Sequence, residues 1–85
     1  MQEAGIDTID EPVKVLASFA LPNIKIHSFF WRDRIYKVEA TTMFHIANES
    51  NRKIYHFSVS SGGNAYDLAF DPISLSWLLT SAVQV

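Results

Sequence analysis

The chain has 85 residues, a formal net charge of -2, 48% hydrophobic and 13% aromatic residues, and no cysteine. A chain of this length buries roughly 60% of its unfolded surface, enough for one core. Its apolar content excludes intrinsic disorder, and the lack of thiols excludes a disulfide framework or a thiolate metal site.

Residues 1–11 carry Glu3, Asp7, Asp10 and Glu11, four of the nine acids, and no base. They read as a flexible acidic N-terminus preceding a single β domain over residues 12–85. The opening has no apolar core of a signal peptide, and no apolar run approaches the roughly 20 residues of a membrane helix. The expectation is a cytoplasmic protein with no membrane contact.

Pro12 opens the first run, where Val13, Val15, Ala17 and Phe19 alternate with Lys14, Leu16 and Ser18. Period two is the signature of a strand with one buried face. Leu21-Pro22-Asn23 turns the chain into a second run, Ile24 to Trp31. There Ile24, Ile26, Ser28 and Phe30 alternate with Lys25, His27, Phe29 and Trp31. Arg32-Asp33-Arg34 suits a hairpin link, and Asp33 tolerates a left-handed backbone.

The third run starts at Ile35, with Tyr36, Val38, Ala40, Thr42, Phe44 and Ile46 on one face. Helical spacing of Ala40, Met43, Phe44 and Ala47 competes, but the β-branched pair Thr41-Thr42 and the lack of a good cap favour a strand. Asn48-Glu49-Ser50-Asn51 reads as a loop. Tyr55, Phe57 and Val59 then face one way on a fourth run, and Tyr66, Leu68 and Phe70 on a fifth, with Gly62-Gly63 as the turn between them. Asp71-Pro72 ends the fifth run. The last, about Ser74 to Val83, sets Trp77, Leu79 and Ser81 against Leu78, Thr80 and Ala82.

The fold class is therefore all-β. Six strands on short links form an antiparallel meander, curled into a small barrel or strongly bent sheet to bury one face. The expected core is Tyr36, Val38, Phe57, Leu68, Phe70 and Trp77.

No segment carries a catalytic signature, and the expectation is a protein that is not an enzyme. His27, His45 and His56 lie on three different runs without metal-ligand spacing, so no metal or other cofactor is expected. Ser58, Ser60 and Ser61 surround a hairpin with no nucleophile elbow. Asp67 and Asp71 are four positions apart, roughly 13 Å along a strand, too far for an acid/base pair. No small-molecule substrate is evident.

One surface is sharper. Over residues 14–37, Lys14, Lys25, Arg32, Arg34 and Lys37 face only Asp33. By strand parity Lys25, His27, Phe29 and Trp31 share a face, and Arg32 and Arg34 follow at once. Cations between rings on an exposed strand are what single-stranded nucleic-acid binders use. The competing reading is that Phe29 and Trp31 cover the core because the strand bends at a bulge, with the charges a solvated face. Overall negative charge weighs against tight DNA binding.

The segment Phe29-Phe30-Trp31-Arg32-Asp33-Arg34-Ile35-Tyr36-Lys37-Val38 resembles an aromatic-Trp-Arg-Gly-Arg-x-Tyr-x-Val pattern. Tyr66-x-Leu68-x-x-Asp71 followed by Trp77 resembles the C-terminal strand pair of the same group. The group comprises small bacterial all-β domains of unassigned function. A similar module ends some Y-family-like polymerase accessory proteins of the mutagenic DNA-damage response. This chain departs from the pattern at Asp33, where the pattern has glycine. The resemblance implies a bacterial accessory domain and supplies no catalytic residue.

Two expectations follow. The first is an accessory or protein-interaction module with a protein partner or a homodimer, using an exposed sheet edge or aromatic patch. The alternative is a small nucleic-acid-binding domain using residues 25–37.

Overall fold

Short β-forming runs separated by tight turns give a structure built from strands alone. The computed structural model describes residues 6–20 and 22–83. Its strands are β1 (Ile6–Pro12), β2 (Lys14–Ala20), β3 (Asn23–Trp31), β4 (Arg34–Lys37), β5 (Ala40–Glu49), β6 (Arg52–Ser61), β7 (Asn64–Asp71) and β8 (Ser76–Val83). They form two antiparallel sheets, one of five strands in the order β1-β8-β7-β6-β5 and one of three in the order β2-β3-β4. Neither sheet closes on itself.

Eight strands replace the expected six for two reasons. First, Ile6–Pro12 is not a loose end: it pairs with β8, from Ile6 opposite Val83 to Pro12 opposite Leu78. Second, the expected third strand changes sheets at Val38 and Glu39. The Val38 amide donates to the His27 carbonyl in the small sheet (2.9 Å), and the next amide, Glu39, donates to the Ser60 carbonyl in the large one (2.8 Å). Val13 makes the matching corner between β1 and β2, donating to the Trp77 carbonyl. Strands that switch sheets at bends are how stacked sheets turn their corners.

The hairpin turns are tighter than the sequence suggested. Arg32-Asp33, Ser50-Asn51 and Gly62-Gly63 each have positive φ at both positions, from 50° to 81°. That is the two-residue turn whose twist matches antiparallel strands. Asn48 and Glu49 therefore belong to β5, not to a loop. Asp33 takes the left-handed backbone (φ 62°) that its side chain tolerates. The turn expected at Leu21-Pro22-Asn23 includes Leu21, which lies outside the described residues. Between β7 and β8, Asp71 Oδ1 accepts from the amides of Ile73 (2.9 Å) and Ser74 (3.4 Å), a local cap that lets the chain reverse over Pro72–Leu75.

The inner faces of the two sheets meet in one core of Ile26, Phe29, Phe57, Val59, Tyr66, Leu68, Phe70 and Leu79. Phe57, Leu68 and Leu79 stand side by side on β6, β7 and β8. Of the expected core, Phe57, Leu68 and Phe70 are buried, while Tyr36, Val38 and Trp77 pack against it half-buried. Val13, Val15 and Ala17 also face it, as the alternation of the first run implies.

Alternation fails at bulges. Ala17 pairs with Ile26 and Leu16 with Ser28, leaving His27 as the extra residue of β3. The same happens at Thr42 in β5 and at Thr80 in β8. Each inserted residue reverses which parity faces inward. Past Thr80 it is Ala82, opposite Tyr66, that packs on the core in place of Ser81.

Candidate functional site

The bulge at His27 decides what the basic, aromatic segment becomes. Before it, Ile24 and Ile26 point inward; after it, Phe29 and Trp31 do. Phe29 is 1% exposed, stacked on Tyr36 (ring centroids 5.0 Å apart) and edge-on to Tyr66 (5.2 Å). The expected face of Lys25, His27, Phe29 and Trp31 therefore does not exist as one surface. Lys25 and His27 stay outside, while Phe29 and Trp31 serve the interior.

Arg32 and Arg34 are not free either. Trp31 Nε1–H donates to Glu11 Oε1 (2.8 Å), and the Arg32 guanidinium meets the same carboxylate (2.7 Å) while lying 4.5 Å over the Trp31 ring. Glu11 comes from β1, so this cluster ties the two sheets together. The Arg32 guanidinium and then the Trp31 N–H hold the Glu11 carboxyl below its ordinary value. Arg34 lies 5.6 Å over Tyr36 on the inner side of β4. It borders an open cleft of about 650 Å³ shared with Glu39, Gly62, Asn64 and Tyr66.

A different surface emerges on the outer side of the small sheet. Paired positions share a face, and three rows can be read from the register: Lys14, Phe30 and Ile35; Leu16, Ser28 and Lys37; Ser18 and Lys25. His27 joins the third row, its Nε2 2.6 Å from Ser18 Oγ. Phe30 is 39% exposed, Leu16 64% and Ile35 69%, and Lys14 Nζ sits 6.0 Å from the Phe30 ring centre. None of these rows contains a carboxylate. No ion pair among the described residues involves Lys14, Lys25 or Lys37. Sequence reasoning missed Phe30, Leu16 and Ile35. Parity already set Leu16 beside Lys14 and Ser18 and set Ile35 opposite Tyr36, and the adjacent pair Phe29-Phe30 puts a ring on each face of β3.

The outer face of the large sheet holds a polar network. His56 on β6 lies between two carboxylates, Nε2 2.9 Å from Glu49 Oε2 and Nδ1 3.3 Å from Asp67 Oδ2. Ser58 Oγ and Thr80 Oγ1 donate to Asp67 (3.4 and 2.6 Å), and His45 stacks on His56 at 4.9 Å. Burial pushes the His56 imidazole down, but Glu49 and Asp67 outweigh it and its pKa is raised overall. Both hydroxyls donate to the carboxylate, so the His56 imidazole activates neither of them. The network instead pins β5, β6, β7 and β8 across one face. Among the described residues no three His, Asp or Glu side chains gather as a metal site.

The third surface is the edge strand β5. Among the described residues it is paired only with β6. Met43, Phe44 and Ile46 are exposed on it although Phe44 also touches Phe57 (4.9 Å). Beside it a cleft of about 210 Å³ opens between Thr41, Phe44 and Phe57 on one side and Pro22 with the first residues of β3, Asn23 and Ile24, on the other.

No family model, curated protein or solved structure matches this chain. Among the described residues no helix is long and apolar enough to cross a membrane.

Proposed function

We propose that the protein is a non-enzymatic accessory module that works by binding protein through the free edge of β5, the first partner being a second copy of the chain. The observation that carries this reading is the character of that edge. Edge strands are ordinarily protected from pairing by charges, proline, shortness or bulges. β5 runs for ten residues, and from Ala40 to Asn48 it carries no Lys, Arg, Asp, Glu or Pro. Its one protective device is the bulge at Thr42, which leaves Met43–Asn48 as an open ladder. An isologous pairing of two such strands about a two-fold axis continues an antiparallel sheet with the same residues on both sides. The resemblance of residues 29–38 and 66–77 to small bacterial accessory domains supports the wider reading.

Light scattering on the eluting protein over a wide concentration range tests it. A dimer that dissociates on dilution is expected, with slow amide exchange over Met43–Asn48 in the dimer. Ile46→Lys, an exposed position, should give a folded monomer with fast exchange there. A wild-type monomer at every concentration, with β5 amides exchanging fast throughout, would overturn the reading.

A further inference from the structure

We propose that the outer face of β2, β3 and β4 binds single-stranded nucleic acid, with Phe30 as the stacking platform and Lys14, Lys25 and Lys37 as phosphate contacts. This surface lies on the other sheet from β5, so neither reading depends on the other.

The charge on the molecule is segregated. The carboxylates of Glu11, Glu49, Asp67 and Asp71 are engaged by Arg32, His56 and Arg52. Lys14, Lys25 and Lys37 instead stand in rows without a carboxylate, the nearest acid being Asp33, in the β3–β4 turn beside Lys14 and Phe30. Lys14 is directly opposite Phe30 and Lys37 is diagonal to it. Sheet geometry puts their Cβ atoms about 5 and about 7–8 Å from that of Phe30. Lys25 extends the positive track about 16 Å down β3. A ring with ammonium groups on either side is complementary to a base with its flanking phosphates.

The centre of the face excludes other occupants. An acidic protein surface would satisfy the lysines but set carboxylates against Phe30, Leu16 and Ile35, where they lose hydration without a partner. An anionic membrane requires apolar side chains segregated from the charges so that one side can enter the lipid. Here Lys14 shares a row with Phe30 and Ile35, and Lys37 shares one with Leu16, so charge and apolar surface are mixed. A duplex keeps its bases stacked on one another, so Phe30 has no base face to take. A single strand offers both phosphates and bases.

Fluorescence anisotropy with a labelled oligothymidylate tests the proposal, beside the matching duplex, polyglutamate and phosphatidylserine vesicles. Three phosphate contacts on a single strand give a slope of log affinity against log salt of about -2. The duplex should bind more weakly than the single strand. Phe30→Ala should weaken binding about tenfold with the slope unchanged, since stacking is lost and charge is not. Lys14→Gln with Lys37→Gln should flatten the slope to about -0.7. Ile35→Glu, at a well-exposed position, should weaken binding at least as much as Phe30→Ala and keeps the test open should that variant misfold. No binding at low salt overturns the proposal. So does unchanged affinity in folded Phe30→Ala and Ile35→Glu, or polyglutamate or vesicles binding as tightly as the oligonucleotide.

Discussion

The two sheets treat charge in opposite ways. On the large sheet, Arg52 meets Asp71, and His56 is held between Glu49 and Asp67. On the outer face of the small sheet, three lysines stand among apolar side chains with no acid in their rows. The large sheet uses charge to fasten strands to one another. The small sheet leaves its charge available. Paired, partly buried charges act on stability, whereas unpaired surface charges act on long-range attraction and recognition. Substitutions in the two regions should therefore be read by different instruments.

The largest effect expected sharpens the division between the two faces of β3. Phe29→Ala should cost about 3–5 kcal/mol in urea unfolding, as truncation of a fully buried ring does. That is a large share of the stability of a small domain. Phe30→Ala, on the opposite face, should cost much less. If Phe30→Ala proves the more damaging, the bulge at His27 is misplaced and the two faces are exchanged.

A smaller effect tests whether the large sheet's charges work on stability. Glu11 and Asp71 are held below their ordinary carboxyl values. Arg32 and then Trp31 lower Glu11; the Ile73 amide, then Ser74 and Arg52, lower Asp71. Groups of this kind contribute stability above their unfolded pKa and lose it as pH falls through the folded one. The acid limb should therefore begin below pH 4.5 for Glu11 and below 3.8 for Asp71. His56 runs the other way. Its folded pKa is raised, so its contribution is complete below 6.5 and is lost as pH rises through the folded value. Melting temperature should then be highest between about 4.5 and 6.5. His56→Gln should remove the decline on the alkaline side and leave the acid limb in place. An identical alkaline limb in that variant would show that the network does not hold the strands.

The smallest expected effect is on the small sheet. Lys14→Gln, Lys25→Gln and Lys37→Gln should each change unfolding free energy by no more than about 0.5 kcal/mol, as exposed substitutions do. Loss well beyond that from any one of them would mean that the lysine has a structural partner, and the contrast between the sheets would fail at that position.

How far the chain could be read in advance depended on the distance to the next bulge. Val13, Val15 and Ala17 face the core as their alternation implies, because β2 carries no inserted residue. Phe57, Val59, Tyr66, Leu68 and Phe70 do so for the same reason on β6 and β7. On β3 the reading holds to Ile26 and inverts at Phe29. The site followed the same rule: strict parity placed Lys25 and His27 outside correctly and Phe29 and Trp31 with them, whereas the competing reading, a bulge that turns Phe29 and Trp31 onto the core, is the one the structure shows. Arg32 and Arg34 were seen as loop cations, but not that Glu11, Trp31 and Tyr36 would engage them.

By itself the amino-acid sequence determined that this protein is made of antiparallel strands, where most of its hairpins turn, and which rings dominate the interior. Those properties arise from neighbouring residues, through period-two burial and the positive φ that asparagine, aspartate and glycine accept. Only the tertiary structure decided that β1 pairs with β8, that two strands cross between sheets at Val13 and at Val38–Glu39, and that Phe30 faces outward. A bulge at His27, Thr42 or Thr80 needs no glycine and leaves no compositional trace. Its position is chosen by the fit of two sheets against one another, and those contacts join residues far apart in the chain.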